Sequence, residues 1–440
     1  MYIINEAYIF ILSFFQHHED FQVYLYFFPI VLLVEVPLYL LMLIAIFRVF
    51  WEDTFSKPYN LPFYPTVSCV VTCYNEGKSI VRTLESLTEQ LYKGSIEILV
   101  LVDGAEVNKN TLNAALDFQK NYTLPSNRYL RVIPKLKRGG HASSENLGVK
   151  LARSEYVIIL DGDCSCDNDM VAALMPHFTN KNIVGISGNI RVRNAKKNLV
   201  TRLQAVEYIL GLQLARIGLG KIGMINNISG AFGTFQKNFI QKIGGWRNGS
   251  AEDLDLVMRI KAYSKRYPNL KMIHEHQAIV HTDAPDTWRG LFKQRLRWEG
   301  DLYYIFFRRH KLTLFPKYLG WKVFFGVFWY NIFFCVMVPV LTVMYMFYLF
   351  IFYSLGYVLF LFLITYFYYL VVSFILFVFY LLLASERKKY DFSFMYLLPL
   401  MPVYQFSGRV WTAVAIIFEI VLHTHKDSSM APWWVIRKTH

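Results

Sequence analysis

Two aspartates, Asp161 and Asp163, stand at i and i+2 in "ILDGDCSCDND", residues 159–169, just after the apolar run "SEYVI". In an extended chain that spacing turns both carboxylates to one side. Paired carboxylates suit a hard divalent cation such as Mg²⁺ or Mn²⁺, with phosphate oxygens completing its shell. Asp and Gly are also common in plain turns after strands, so the pair alone leaves metal site and turn both open. Cys164 and Cys166 are one residue apart, not the two-residue gap of CxxC metal and redox sites. With Cys69, Cys73 and Cys335 they make an odd, scattered set of five. That set is expected to be reduced and structural, in a cytosolic compartment. Asp167 and Asp169 read as a solvated loop or a helix cap.

A second acidic pair, Glu252 and Asp253, falls in "SAEDLDLVMRIKAYSKRY", which reads as a helix start from Ser250. A carboxylate there can take a proton from a hydroxyl. It would also stabilise a helix N-terminus with no catalytic role. In "QRLRW", residues 294–298, Gln294, Arg297 and Trp298 share one helix face at i, i+3 and i+4. An amide and an Arg fork beside a Trp ring suit a diphosphate next to a sugar ring. They equally suit snorkelling side chains on a membrane-interface helix.

These groups need elements to position them. Residues 66 to about 285 alternate β-branched runs with amphipathic helical stretches, from "VSCVVTCYN" and "IVRTLESLTEQL" to "ENLGVKLARS" and "EYVIILDGD". That alternation predicts βαβ units and a mostly parallel, Rossmann-like sheet. Ligands bind such sheets beyond the carboxyl ends of the strands. "CYNE" at 73–76, "VDGAE" at 102–106 and "DGDC" at 161–164 fall at those ends.

The flanks are apolar. Of 440 residues, 55% are hydrophobic, and 37 Phe and 30 Tyr crowd toward the two ends. The net charge of +14 fits an anionic membrane surface, an anionic substrate or nucleic acid. The long apolar segments select the membrane, and no nucleic-acid recognition motif is present. Residues 24–51 exceed the roughly 20 apolar residues a spanning helix needs, whereas the run at 7–15 is too short to span. No small-residue cleavage site follows the first span, so it reads as an anchor and not a signal peptide. It carries Glu35, and a lone intramembrane carboxylate is expected to face protein or a water-filled path. Residues 286–321 have the Arg, Lys and aromatic mix of helices lying in an interface. Residues 322–354 and 356–383 can each span, and "SERKKYD" after them is a basic loop expected to be cytoplasmic. Residues 391–423, interrupted by Pro399 and Pro402, read as two short spans, one kinked span, or an interfacial piece plus a span. The organisation expected is therefore an anchor (1–55), a cytoplasmic α/β domain (56–285), interfacial helices (286–321), a transmembrane bundle (322–424) and a cytoplasmic tail (425–440).

The pieces also occur in a telling order. "TCYNEGKSIVRTLESL", "VDGAE", "DGDC", "AED" and "QRLRW" follow one another across residues 66–300. In this the chain resembles the family 2 glycosyltransferases, specifically the membrane-integrated processive synthases. "SGNIRVRNAKKNLVTRLQAVEY", residues 187–208, is most similar to poly-N-acetylglucosamine synthases, and less closely to hyaluronan, chitin-oligosaccharide and cellulose synthases. The resemblance implies a GT-A α/β fold inserted between transmembrane helices and a metal-dependent, inverting transfer from a UDP-sugar, with UDP-N-acetylglucosamine favoured. It implies that Tyr74, Glu76 and Asp103 hold uracil and ribose. Asp161 and Asp163 would form the DxD motif on the nucleotide and its Mg²⁺ or Mn²⁺. Asp253 would be the general base, Gln294 and Arg297 would steady the diphosphate, and Trp298 would stack on the acceptor. Ser229, Gly230 and Glu252 would lie at the acceptor end. Implied partners are a growing polysaccharide, the lipid bilayer and a small accessory membrane subunit.

Three positions depart from the family pattern. Val102 precedes Asp103 where a second acid is frequent, Ala251 stands where Thr is usual, and His141 stands where Lys is usual. A neutral imidazole contributes less than Lys to phosphate binding, leaving Lys137 and Arg138 as substitutes. The readings competing with a processive synthase are an enzyme adding one sugar to a lipid, a hyaluronan- or cellulose-type synthase using other UDP-sugars, and a non-catalytic membrane subunit.

Overall fold

The computed structural model of the protein describes residues 34–55 and 64–426, with Pro432 and Val435 beyond them. The apolar run at 7–15, the first part of the anchor and most of the tail lie outside the described residues.

Among the described residues the β-branched runs form eight strands: β1 Val67–Cys73, β2 Ile96–Asp103, β3 Arg128–Lys135, β4 Tyr156–Asp161, β5 Ser165–Cys166, β6 Ile183–Val192, β7 Phe232–Gln236 and β8 Lys271–Thr282. They make one sheet in the order β3-β2-β1-β4-β7-β6-β8-β5. Strands β3, β2, β1 and β4 run parallel. Beyond them β7 pairs antiparallel with β4 and β6, β8 returns parallel to β6, and β5 closes the edge antiparallel. The sheet is therefore mixed, with a parallel half and a second half that reverses at β7. Every residue of β1 and β2 is buried, as a parallel strand covered on both faces requires.

Side chains alternate between two cores, as the strand period of two demands. Cys69, Val71 and Cys73 share one core with Ile80, Leu84 and Leu87 of helix Ile80–Thr88. Val70 points to the other core, with Ala142 and Val149 of helix His141–Leu151 and Leu256 and Ile260 of helix Glu252–Ser264. The first core continues without a break into the membrane helices through Leu38, Met42, Phe377 and Met401.

Among the described residues, three helices are long and apolar enough to cross a bilayer: Trp321–Phe352, Leu355–Leu383 and Met395–Leu422. The last resolves the three readings of residues 391–423 as one continuous helix. A 3₁₀ turn, Met395–Leu400, holds Pro399 and runs into α-helix Met401–Leu422. Pro402 sits in its first turn, where a missing N–H costs nothing. The anchor's described part, helix Val36–Phe55, is tied to the sheet domain by Glu52 to Lys221 and by His276 to Asp53 at 2.8 Å.

Two further ties join sheet and membrane helices. Buried Arg191 of β6 donates to Asp391 at 3.1 Å and to the Tyr380 hydroxyl at 2.8 Å. Asp167 accepts from Arg387 at 2.6 Å and pairs with His281 at 2.9 Å. That corrects the solvated-loop reading of Asp167, which anchors the "SERKKYD" loop. Asp169 takes the cap position of helix Met170–Leu174 without a side-chain cap bond.

Candidate active site

Asp103 ends β2 and is buried. Its Oδ1 and Oδ2 accept from the Gly139 and Gly140 N–H groups, both at 2.8 Å, and Lys135 Nζ lies 2.8 Å from Oδ1. The carboxylate thus fixes the "KRGG" loop. Gly140 has φ of +88°, a conformation that favours glycine, and it caps the helix that His141 opens. Beside this loop the Arg138 guanidinium lies 3.9 Å from the Tyr74 ring centre, while Tyr74 stays 41% exposed and open to a ligand. Asn75 has φ of +72°, which Asn tolerates, and the turn brings the Tyr74 N–H within 2.8 Å of Glu76 Oε1.

His141 is the hub of the site. Its Nε2 lies 3.0 Å from Asp161 Oδ1 and 3.0 Å from Thr72 Oγ1, and its Nδ1 lies 2.8 Å from Glu252 Oε1. Burial opposes a charged ring, but Glu145, Asp161 and Glu252 outweigh it and raise the His141 pKa well above its ordinary value. The expectation of a neutral imidazole here is corrected: the ring is held as a cation. Burial and the carboxylates of Glu252, Asp161 and Asp253 push the Glu145 pKa up, against the pull of His141. His141, Glu145 and Glu252 place ligand atoms within 4.8 Å of one another. Within that group the closest contact is His141 Nδ1 to Glu252 Oε1 at 2.8 Å, with Glu145 Oε2 3.6 Å from the same nitrogen.

Asp253 lies beside the hub. Its Oδ2 accepts from Asn227 Nδ2 at 2.8 Å and from Gly230 N at 3.1 Å, and its Oδ1 from Leu254 N at 2.7 Å. Burial and the Glu252 charge raise its pKa against those hydrogen bonds. A raised carboxylate pKa suits a general base. The Ser229–Gly230 loop therefore touches Asp253 directly, and the next residue, Ala231, accepts from Asp161 N at 3.3 Å. Its glycine has His141 Cε1 and Glu252 Oε1 within 4 Å of where a Cβ would sit.

Around Asp161 the carboxylates crowd. Burial, then the Asp161 charge, pushes Asp163 up to about 6. Burial, with a further push from Asp161 and Asp163, raises Glu76 to about 7. Three oxygen-donor acids, two of them with raised pKa values, fit a hard divalent cation. Glu76 Oε2 is buried with no hydrogen-bond partner among the described residues, consistent with that fit. The glycine between the two aspartates is packed tight, since a Cβ on Gly162 would meet Cys73 Sγ at 2.7 Å. Cys164 is a free, buried thiol whose pKa burial pushes up, so it is structural.

Gln294, Arg297 and Trp298 lie on helix Trp288–Tyr303, capped by Thr287 through its hydroxyl to Gly290 N at 3.1 Å. All three are half-buried, and Gln294 Oε1 has no hydrogen-bond partner among the described residues. The Arg295 guanidinium covers the Trp298 ring at 4.7 Å and is paired with Glu207 at 2.9 Å. One turn on, Asp301 accepts from Ser250, next to the "AED" motif. This helix packs on Met401–Leu422, where Trp411 Nε1 donates to Phe292 O at 2.9 Å. The stretch expected to lie flat in the interface is thus partly covered by a membrane helix.

Residues 68–242 match the glycosyl transferase family 2 description, and residues 156–417, more than half the chain, match glycosyl transferase family group 2. The chain belongs to glycosyltransferase family 2. Over 234 residues it is 29% identical to the poly-β-1,6-N-acetyl-D-glucosamine synthase of Staphylococcus epidermidis, covering 53% of each chain. Over 258 residues it is 27% identical to the synthase of that name from Staphylococcus aureus, covering 58% of this chain and 59% of the relative. The chain thus spans about half the length of the curated relatives it matches. A mannosyltransferase of Pyrobaculum calidifontis, solved with GDP-mannose and Mn²⁺, superposes with a TM-score of 0.54 over 89% of this chain and 98% of its own, at 15% identity. That likeness concerns the fold.

For this glycosyltransferase the structure gathers Asp161, Glu252, Asp253 and Gly230 around His141. It sets Tyr74, Glu76 and Asp103 along the neighbouring strand ends, and carries Gln294, Arg297 and Trp298 on a helix tied to Ser250. Sequence reasoning missed His141 as a hub, Lys135 as the Asp103 partner, and Asn227 as a holder of Asp253. One signal was available: His141 and Glu145 stand at i and i+4 on a predicted helix, a spacing that pairs side chains.

Proposed function

We propose that this chain is a membrane-embedded, processive, inverting glycosyltransferase. It polymerises a β-linked polysaccharide from a UDP-sugar, UDP-N-acetylglucosamine in the first place, and passes the product across the membrane. The observation that carries the reading is the contiguity of Asp161, His141, Glu252, Asp253 and Gly230 at the carboxyl ends of the strands, beside a QRLRW helix tied to Ser250. The likeness to poly-N-acetylglucosamine synthases supports the donor and the product class.

Asp161, Asp163 and Glu76 would hold a divalent cation, which when bound would neutralise charge on the diphosphate. His141 holds Asp161 by one oxygen and keeps that carboxylate turned toward the donor. Tyr74 and Arg138 form the stacked pair against which a uracil would lie. Asp253 takes the proton of the acceptor hydroxyl, and its orientation is fixed by Asn227 and Gly230. The freed oxygen attacks the anomeric carbon, the bond to UDP breaks, and Arg297 offsets the charge that grows on the leaving diphosphate. Trp298, its ring backed by Arg295, offers a flat face to the acceptor sugar. The sheet-bound domain is proposed to be cytoplasmic, with the spans integral to the plasma membrane.

The test is UDP release by membranes containing the protein, across a panel of UDP-sugars with Mg²⁺ or Mn²⁺, followed by product sizing and digestion with linkage-specific glycosidases. Release with UDP-N-acetylglucosamine and a long, β-specific digestible product is expected. A lipid carrying one sugar would replace this reading with a non-processive transferase. Turnover of other UDP-sugars alone would move it to a hyaluronan- or cellulose-type synthase, and no release from any would leave a non-catalytic subunit.

A further inference from the structure

Glu35 was singled out in the sequence as a carboxylate inside an apolar span, and the proposed transfer reaction makes no use of it. It is 1% exposed. Arg409 of helix Met401–Leu422 pairs with Glu35 Oε1 at 2.7 Å and donates to the Tyr369 hydroxyl at 2.9 Å. That hydroxyl in turn donates to Glu35 Oε2 at 2.9 Å. The Arg409 guanidinium also lies 5.0 Å from the Tyr369 ring centre. The triangle is closed, and its three corners come from the anchor, from Leu355–Leu383 and from Met401–Leu422.

The triad stands at a boundary between two cavities. One, of about 240 Å³, begins at the QRLRW helix, with Trp288, Phe292, Arg295 and Tyr404 in its wall. The other, of about 510 Å³, lies among the membrane helices and is walled by apolar side chains and tyrosines, Tyr366 and Tyr368 among them. Tyr369, Gln405 and Arg409 belong to both walls. The Tyr368 hydroxyl is buried with no hydrogen-bond partner among the described residues. Such an orphan calls for a ligand or water to satisfy it.

A buried ion pair is a poor stabiliser, because apolar residues of the same volume commonly do as well or better. Breaking one is costly unless something else satisfies both charges. A hydroxyl-rich chain does so, since each sugar hydroxyl can donate to Glu35 and accept from Arg409. We propose that Glu35, Tyr369 and Arg409 form a latch that closes the path between the two cavities. It opens when hydroxyls of the elongating polysaccharide take over its hydrogen bonds. This rests on the processive reading above, and adds to it the point at which the path is sealed between polymers.

The test uses the full chain in liposomes loaded with radiolabelled glucose, without any nucleotide sugar. Wild-type vesicles are expected to retain glucose. Glu35→Ala and Arg409→Ala vesicles are expected to lose it about tenfold faster, because opening no longer breaks a buried ion pair. The charge swap, Glu35→Arg with Arg409→Glu, is expected to reseal them. Singles as tight as wild type would overturn the latch. So would a swap as leaky as the singles, since the leak would then reflect general loosening. Because the assay involves no transfer, a chain that seals as expected yet makes no polymer would sink the proposed function and with it the opening by polysaccharide, whereas singles as tight as wild type would sink the seal alone.

Discussion

His141→Leu is the sharpest probe of the site. The substitution removes the cation that lies 2.8 Å from Glu252 and 3.0 Å from Asp161. Glu252 is 5% exposed, so its carboxylate would be left buried and uncompensated. Removing one partner of a buried pair costs about 3–5 kcal/mol, so a loss of at least ~3 kcal/mol is expected. For a domain of roughly 200 residues, 1 kcal/mol moves the melting temperature by about 2–4 °C, so a drop of about 6–12 °C is expected. Glu145 lies farther from the ring, its Oε2 3.6 Å from Nδ1, and its carboxyl makes no hydrogen bond among the described residues, so Glu145→Gln gives up less. Its cost is expected to stay within about 0.5 kcal/mol, or 1–2 °C. UDP release should fall about a hundredfold in His141→Leu, through a displaced Asp161, and little in Glu145→Gln. The assay is thermal unfolding of the detergent-solubilised protein followed by size exclusion, with UDP release measured below the transition. If Glu145→Gln cost as much as His141→Leu, the imidazolium would be serving Glu145, and the hub reasoning would fail.

Asp253→Asn should lower kcat by about 10²–10⁴-fold while UDP binding, measured by calorimetry, is retained; lost binding would contradict the role of base. Asp163 and Glu76 hold protons up to about pH 6 and about pH 7, so Mn²⁺ affinity should fall as pH drops below about 7, more steeply below about 6, and flatten above 7. In Asp163→Ala the steeper part should relax to about tenfold per pH unit, the slope that Glu76 alone supports, and an unchanged profile would assign that titration elsewhere. Asp255 is held well below its ordinary value: burial opposes its charge, but His310, Arg309 and Arg259 outweigh it. A depressed carboxylate stabilises the fold above its unfolded pKa and loses that contribution as pH falls through the folded one. Asp255→Asn should therefore melt lower than wild type at pH 7, and the gap should narrow below pH ~4. A gap that stayed constant with pH would mean that charge plays no part.

The sequence conveyed most about what is local. Strands β1, β2 and β4 were legible because a strand buried on both faces must be a continuous apolar run, and the Asp and Gly at their ends mark where polar chemistry begins. Strand β8 was less legible, because "KMIHEHQAIVHT" interleaves three histidines and a glutamate. Three of those side chains are absorbed by partners far along the chain: Asp53 for His276, Asp167 for His281 and His177 for Glu275. The site divides in the same way. The aspartates could be named, since their spacing is local. The charge state of His141 could not, because Glu252 lies 111 residues away and no pattern in the sequence joins them. Asp167 was misread for the same reason, its partner Arg387 being 220 residues distant.

One departure from the family pattern gains a physical reason from the structure. Ala251 has φ of +56°, the left-handed region, and caps helix Glu252–Ser264 without a side-chain bond. That conformation costs an alanine about 1 kcal/mol and would strain a β-branched threonine further. The helix recovers stability from Glu252, Asp253 and Asp255 in its first turn, set against its positive end. The twist is held from both sides. Ser250 bonds Asp301 of the QRLRW helix, and Asp255 is bound by Arg309 at 2.8 Å and His310 at 3.0 Å from the stretch that follows it. The proposed base, Asp253, thus sits between two ties to the helix that carries Trp298. The distance from base to acceptor platform is set by that double fixation and not by loop length. Cutting either tie should therefore disturb acceptor positioning before it disturbs donor binding, since Tyr74, Asp103 and the "KRGG" loop are fixed independently at the other strand ends.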